Sequence, residues 1–261
     1  MSSEYKVFTF NLRVDASVDG INRFEFRKGR ILSAIGEYLP DIIGFQEAGD
    51  SMRAWLGENL PALGYTLVGC GRLKGYRGES TPIAYRRSRF ELVGLETKWL
   101  SATPNLPAST FGGDQSSCPR IFVAAELSPS DGGNFVFLNT HLDHKGQTAR
   151  LLGSMEIMQY LSEKGLPFII TGDMNARPGT PEIEAFTSHR PCGRDVVDAT
   201  APLGGTFHGF GRLTGNSMAK IDYIFTDMIC DCSKSLVIPD EPVDGVYISD
   251  HRPVLAVVES L

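Results

Sequence analysis

The residues best equipped for chemistry in this chain stand at the ends of short apolar runs. Asn11 follows V-F-T-F, Glu47 follows D-I-I-G-F-Q, His141 follows F-V-F-L-N-T, and Asp173 follows F-I-I-T-G. Asp222 opens D-Y-I-F-T, and the pair Asp250-His251 leads into R-P-V-L-A-V-V. Gathering Glu47, Asp173, Asp222 and Asp250 without compensation is costly, because like charges within ~4–6 Å disfavour ionisation. A bound cation removes that objection. The oxygens of Glu47, Asp250 and the Asn11 amide are hard ligands and suit Mg²⁺ or Mn²⁺, with water and a phosphate group completing the sphere. The five histidines show no H-E-x-x-H spacing and the cysteines no C-x-x-C pair, which disfavours zinc.

Within Gly172-Asp173-Met174-Asn175 the carboxylate and the amide are two residues apart, and on extended backbone they project to the same side. Asp173 can then take a proton from an attacking water while Asn175 donates to that water or to a phosphate oxygen. His141 and His251, from different strands, supply N–H donors for the charge that builds on the phosphate. Adjacent strand residues point to opposite faces, so Asp250 and His251 serve together only from a loop that precedes the strand.

The elements that must position these groups are legible in the pattern. Val7–Phe10, Ile42–Phe45, Thr81–Tyr85, Ile121–Leu127, Phe135–Leu138, Phe168–Thr171, Ile221–Phe225 and Val254–Val258 read as strands. Several are apolar at consecutive positions, as expected of sheets covered on both faces. Helical periodicity occurs over Arg27–Leu39, Met52–Leu60, Ala149–Glu163 and Pro181–Thr187. Strands outnumber helices and are mostly linked by turns, which predicts two packed sheets flanked by helices within one domain spanning residues 1–261. In an antiparallel sheet the C-terminal end of one strand lies beside the start of its neighbour, so all six elements can share one rim.

Composition narrows the field of substrates. A formal net charge of −6 argues against a strong, sequence-independent grip on duplex nucleic acid. Lys74, Arg77, Arg86, Arg87 and Arg89 cluster around one strand, but their alternation describes a partly solvated face. No apolar stretch approaches the ~20 residues that span a bilayer, and no amphipathic hairpin with exposed aromatics marks a membrane surface. Five cysteines without a framework, and a start that lacks a signal-peptide pattern, give cytoplasmic residence as the expectation.

The ordered set T-F-N-L, G-F-Q-E, N-T-H-L, G-D-M-N, I-D-Y-I-F and S-D-H-R-P-V resembles the endonuclease/exonuclease/phosphatase superfamily, which includes pancreatic-type deoxyribonuclease and abasic-site endonucleases. Each motif alone is common in turns; six in order, each at a strand end, are not. The resemblance runs from residue 7 to residue 258 and implies an α/β fold, a four-layer α/β/β/α sandwich of two mainly antiparallel sheets. It implies Glu47, Asn11 and Asp250 at the metal, Asp173 on the water, Asn175 and His141 on the phosphate, and Asp222 orienting a protonated His251. Glu79 matches the position that supports the first histidine, here His141. N-R-F-E-F-R-K, W-L-S-A-T-P, N-T-H-L-D-H and G-T-F-H-G-F look like an uncharacterised bacterial branch, which implies further polar residues near the site: Arg13, Asp15, Asn22, Arg23, Arg120, Asp143, His144 and His208.

Arg23, Arg120, His144 and His208 are the substrate-side candidates, each with a plainer alternative. Arg23 and Arg120 can serve as structural ion pairs, and His144 can sit at a core edge bonded to Asp143. His208, in a glycine-rich loop with aromatic neighbours, is suited to a ligand ring or phosphate. The expected activity is metal-assisted, in-line hydrolysis of a phosphodiester, in a small molecule or a nucleic acid. A phosphomonoesterase on the same machinery is the alternative. A non-catalytic module that binds a phosphorylated ligand is disfavoured, since such modules usually lose a catalytic carboxylate and all are present here.

Overall fold

The computed structural model describes residues 4–259. In chain order the elements are β1 (Glu4–Asn11), α1 (Phe24–Tyr38), β2 (Ile42–Gln46), α2 (Asp50–Asn59), β3 (Tyr65–Val68), β4 (Ile83–Arg86) and β5 (Phe90–Trp99). There follow β6 (Ile121–Pro129), β7 (Phe135–His141), α3 (Gln147–Lys164), β8 (Phe168–Asp173) and α4 (Pro181–Ser188). The last are β9 (Val197–Asp198), β10 (Asp222–Thr226), β11 (Ile229–Cys230), β12 (Leu236–Val237) and β13 (Val254–Glu259). One sheet runs β11-β13-β1-β2-β4-β3, with β12 also on β13; the other runs β5-β6-β7-β8-β10-β9.

Three apolar layers hold these sheets and helices together. Tyr5, Val7, Ile42 and Val254 of the first sheet meet Val123, Phe137, Ile169 and Ile224 of the second. On the outer face of the first sheet, Phe8, Phe10 and Phe45 pack under Ile31 and Ile35 of α1 and Met52 and Leu56 of α2. On the outer face of the second, Leu138, Ile170 and Phe225 pack under Ile157 and Leu161 of α3 and Phe186 of α4. The order is therefore helix, sheet, sheet, helix. Burial on both faces explains the near-continuous apolar runs.

The sheets are mixed, not simply antiparallel. β1 pairs parallel with β2, and β7 parallel with β8, while the other pairings are antiparallel. A parallel neighbour needs a long crossover, and α1 and α3 supply the two crossovers. The consequence for the site is direct. Parallel pairing sets two C-terminal ends side by side, so Asn11 lies opposite Gln46, next to Glu47, and His141 lies opposite Asp173. Antiparallel pairing adds the strand starts: Asp222 is opposite Asp173, and Val254, just after Asp250-His251, is opposite Thr9.

Beneath the rim, the sheets are joined by polar contacts instead of apolar ones. Gln46 Nε2 donates to Asn139 Oδ1 across the sandwich (2.7 Å) and to Thr9 Oγ1 (3.2 Å), while Asn139 Nδ2 donates back to the Phe45 carbonyl (2.7 Å). The close approach depends on Gly44, where a Cβ would stand 2.1 Å from Thr171 Oγ1 and 2.6 Å from Asn139 Oδ1.

Candidate active site

Asp173 ends β8 and lies at the centre of the cluster. Its Oδ2 accepts from Asn11 Nδ2 (2.8 Å) and lies 3.5 Å from His141 Nε2 and 3.7 Å from His251 Nε2. Its Oδ1 accepts from the Asn175 backbone N–H (2.9 Å), an Asx-type turn. Burial works against ionisation of Asp173. The charges of His141 and His251 and the hydrogen bonds outweigh it and hold the carboxyl below its usual range.

Asn11, at the end of β1, ties two carboxylates together, because Nδ2 also donates to Glu47 Oε1 (3.1 Å). Its own Oδ1 accepts from the Arg13 backbone N–H (2.9 Å), and the amide nitrogen is the atom that faces the two carboxylates. Glu47 Oε2 accepts from the Val14 N–H (2.9 Å). Burial opposes its charge too, but His141 and the Val14 and Asn11 donors keep it below the ordinary value.

Asp222 and His251 form a buried pair, with Nδ1 2.9 Å from Asp222 Oδ2. That oxygen also accepts from Thr206 Oγ1 (2.5 Å). Burial opposes a positive charge on His251, yet Asp222, Asp173 and Asp250 surround it and raise its pKa well above the usual imidazole value. Asp250 is buried and pushed upward by that burial, with His251 and Arg13 pulling the other way and Glu47 adding to it. Both Asp250 and His251 precede β13, which lets them face different groups.

His141 ends β7 with Nε2 2.9 Å from Asn175 Nδ2. Asn175 Nδ2 also donates to the Leu142 carbonyl (3.1 Å). The Asn175 backbone is left-handed (φ 48°), so the same-side projection expected of extended chain does not apply; the turn brings Asn175 to His141 instead. Glu79 Oε1 is 3.6 Å from His141 Nδ1 and 2.5 Å from Arg72 Nη1. Arg13 (φ 54°) and Glu47 (φ 58°) are also left-handed, a concentration of strained non-glycine backbone of the kind found at functional sites.

Of these groups, Glu47, Glu79, His141, Asp173, Asn175, Asp250 and His251 line a cleft of about 420 Å³, with Arg13, Val14, Arg72, Cys118, Arg120, His144, Phe207 and Arg212 also among its walls. Another hollow, about 540 Å³, lies against α3, where Glu96 pairs with Lys164 and Lys98 and none of these groups is present. Of the substrate-side candidates, Arg120 and His144 line the cleft and touch each other, Nη2 to Nδ1 at 2.9 Å. Asp143 does not hold His144; it accepts from Ser116, Lys145 and Gly146 N–H groups and so fastens the wall.

Two candidates lie outside the cleft lining. Arg23 is half-exposed at the start of α1, paired with Asp15 (3.1 Å) and Glu25 (3.4 Å), while Asp15 also accepts from the Phe24 N–H. His208 is buried, its Nδ1 accepting from Gly211 N–H (3.0 Å) and its ring against Tyr247. Successive residues on extended backbone face opposite ways. Here Phe207 turns to the cleft and packs on His251, centroids 4.9 Å apart, and His208 turns inward. Arg72, Arg212 and Phe207 escape sequence reasoning. Phe207 alone carried a signal, as neighbour of the histidine that drew attention.

The donor set fits a divalent cation. Glu47, His141 and Asp173 each bring a ligand atom within 4.8 Å of the others, a carboxylate and histidine set that could hold a metal ion.

The family described as Endonuclease/Exonuclease/phosphatase matches residues 8–251. An endonuclease/exonuclease/phosphatase structure from Bacteroides vulgatus is 30% identical, with a TM-score of 0.87 over 99% of this chain and 100% of that one. A mannosyl-6-phosphatase from Bacteroides thetaiotaomicron is 28% identical, with a TM-score of 0.81 over 98% and 100%. An uncharacterised protein of Acanthamoeba polyphaga mimivirus is 26% identical over 92% of this chain and 93% of its own length.

Proposed function

This chain belongs to the endonuclease/exonuclease/phosphatase family, and on that premise we propose that it is a divalent-metal-dependent phosphoesterase acting on a small phosphorylated substrate. The observation that carries the proposal is the setting of Asp173 Oδ2, within 3.7 Å of Asn11 and of the Nε2 atoms of both His141 and His251. A carboxylate held ionised there takes the proton of an attacking water. His251, kept protonated by Asp222, donates to a phosphoryl oxygen as negative charge grows, and Asn175 fixes the ring of His141 beside Asp173. Glu47, the member of the metal-competent cluster not used as base or donor, would hold the cation with Asp250 beside it, and the cation's chemistry would be to polarise the phosphate and offset its charge. Arg13, Arg72, Arg120 and Arg212 set a positive field around the leaving group.

The cleft volume and the net charge of −6 favour a small ester over duplex nucleic acid. Between a diester and a monoester, the 28% identity to a mannosyl-6-phosphatase favours a sugar phosphate monoester. The test compares bis(4-nitrophenyl) phosphate, 4-nitrophenyl phosphate and mannose 6-phosphate, each with Mg²⁺, with Mn²⁺ and with EDTA. We expect turnover with either metal and none in EDTA, restored when Mn²⁺ is returned. A rate unaffected by EDTA removes the metal from the proposal, and no turnover of any phosphoester removes the activity.

A further inference from the structure

Arg27 stands on α1 with its side chain wholly enclosed, the largest fully buried side chain among the described residues. Its hydrogen-bond partners are main-chain carbonyls. Nε donates to Asn22 (2.7 Å), Nη1 to Leu12 (2.6 Å) and Ile248 (2.9 Å), and Nη2 to Arg13 (2.8 Å). The rings of Phe24 and Phe210 lie 5.8 and 6.0 Å from its guanidinium carbon. Enclosing a charge is costly unless its donors are well satisfied, and the planar fork of an arginine can reach several acceptors at once.

What those carbonyls belong to gives the arrangement its meaning. Leu12 and Arg13 follow Asn11, and one residue on, the Val14 N–H holds Glu47. Ile248 precedes Ser249, whose Oγ donates to the Asn11 carbonyl (2.7 Å), and then Asp250 and His251. Phe210 belongs to the loop that lays Phe207 on His251. Leu12 N–H also reaches the Gln46 carbonyl (3.0 Å) and Ile248 N–H the Asp240 carboxylate (2.9 Å), while Arg13 has a left-handed backbone.

Resting on the phosphoesterase reading of the cleft, we infer that Arg27 is a positioning residue, holding the segment after β1 and the segment before β13 in register so that Asn11 and Glu47 meet Asp250 and His251. It does not line the cleft. Its action is through the main chain of residues that do.

The test compares Arg27→Lys with Ile31→Ala, a core truncation on the same helix that lowers stability and leaves the Arg27 hydrogen bonds in place. In Arg27→Lys, hydrogen exchange should rise together in peptides covering residues 11–16 and 247–252. Mn²⁺ affinity, measured calorimetrically without substrate, should fall about 10-fold or more, the usual scale for groups that orient ligands. The kcat should fall about 10–10²-fold with a smaller change in KM. Arg27→Ala, if it folds, should recover part of its activity in added guanidinium at concentrations that leave Ile31→Ala unchanged. Unaltered exchange in both peptides overturns the inference, as does an Arg27→Lys protein whose Mn²⁺ affinity and kcat match those of Ile31→Ala. Raised exchange in both peptides of a chain that binds no Mn²⁺ and turns over no ester upholds the positioning and sinks the phosphoesterase reading.

Discussion

Asp173 and Asp222 face each other across β8 and β10, yet their surroundings assign them different work. Asp173 has donors on both oxygens, whereas Asp222 spends one oxygen on His251 and Thr206 and leaves the other buried without a partner. Replacing Asp173 with Asn keeps an acceptor for the Asn175 N–H but removes the proposed base, so kcat should fall at least ~10²-fold with an unchanged circular dichroism spectrum. Activity within a few-fold of the wild type would take Asp173 out of its role. Asp222→Asn should act through pH. His251 has a raised pKa in the folded protein, so the protonated form and the stability it brings are complete below about 6.5 and fade as pH climbs through the folded value. Without Asp222 that value drops, and the alkaline limb of the rate profile should move to lower pH. A limb that stays in place assigns it to another group.

At the scale of elements, α3 offers a cleaner titration. Glu156 accepts one hydrogen bond, from the Ser101 N–H (3.1 Å), and burial pushes it up to about 7 while its other oxygen has no partner. A carboxyl raised in the folded state stabilises below its unfolded value near 4.5 and loses that contribution as pH rises towards 7. Glu156→Gln should therefore gain about 1 kcal/mol at pH 8, discounted for partial solvent access, and nothing at pH 4. Equal melting temperatures at pH 8 would refute the assignment. The eight apolar strands were legible because burial on both faces keeps their runs largely apolar, and the four helices because an apolar face recurs at helical spacing. β5 was not: Phe90–Trp99 has Gly94 inside it, carries Glu91, Glu96 and Lys98, and shifts register between Leu92 and Gly94. Such a sequence at a sheet edge looks like a loop. Arg27 was hidden for another reason, since a cation in a first helical turn normally means solvent, and only carbonyls from distant segments make its burial possible.

Across the whole molecule, the six motif positions were readable because each follows or precedes a strand, and the rim follows from where strands end. How they meet was not readable in full. The parallel pairs that put Glu47 beside Asn11 and His141 beside Asp173 depend on the crossovers, and the inward turn of His208 depends on which face of its loop meets β13. The separation of the sheets is set by Gly44. Ala at this position would press a methyl group into Thr171 and Asn139, so Gly44→Ala should lose about 2–3 kcal/mol of stability in denaturant unfolding. Trimming Thr171 to Ala in the same chain should return part of it. A neutral Gly44→Ala would mean the sandwich can open at no cost.

The pairing of β1 with β13 also has a bearing on how the protein comes into being. Glu4 sits across from Glu259, so β1, the first of the described strands to leave a ribosome, waits for β13 before it gains its antiparallel neighbour. The Ser249 hydroxyl reaches the Asn11 carbonyl only then. A nascent chain can raise its helices and the β7–β8 unit as it emerges, but the rim of the cleft is complete only once β13 is made, so a translation product interrupted before β13 should lack the assembled site however much of it has folded.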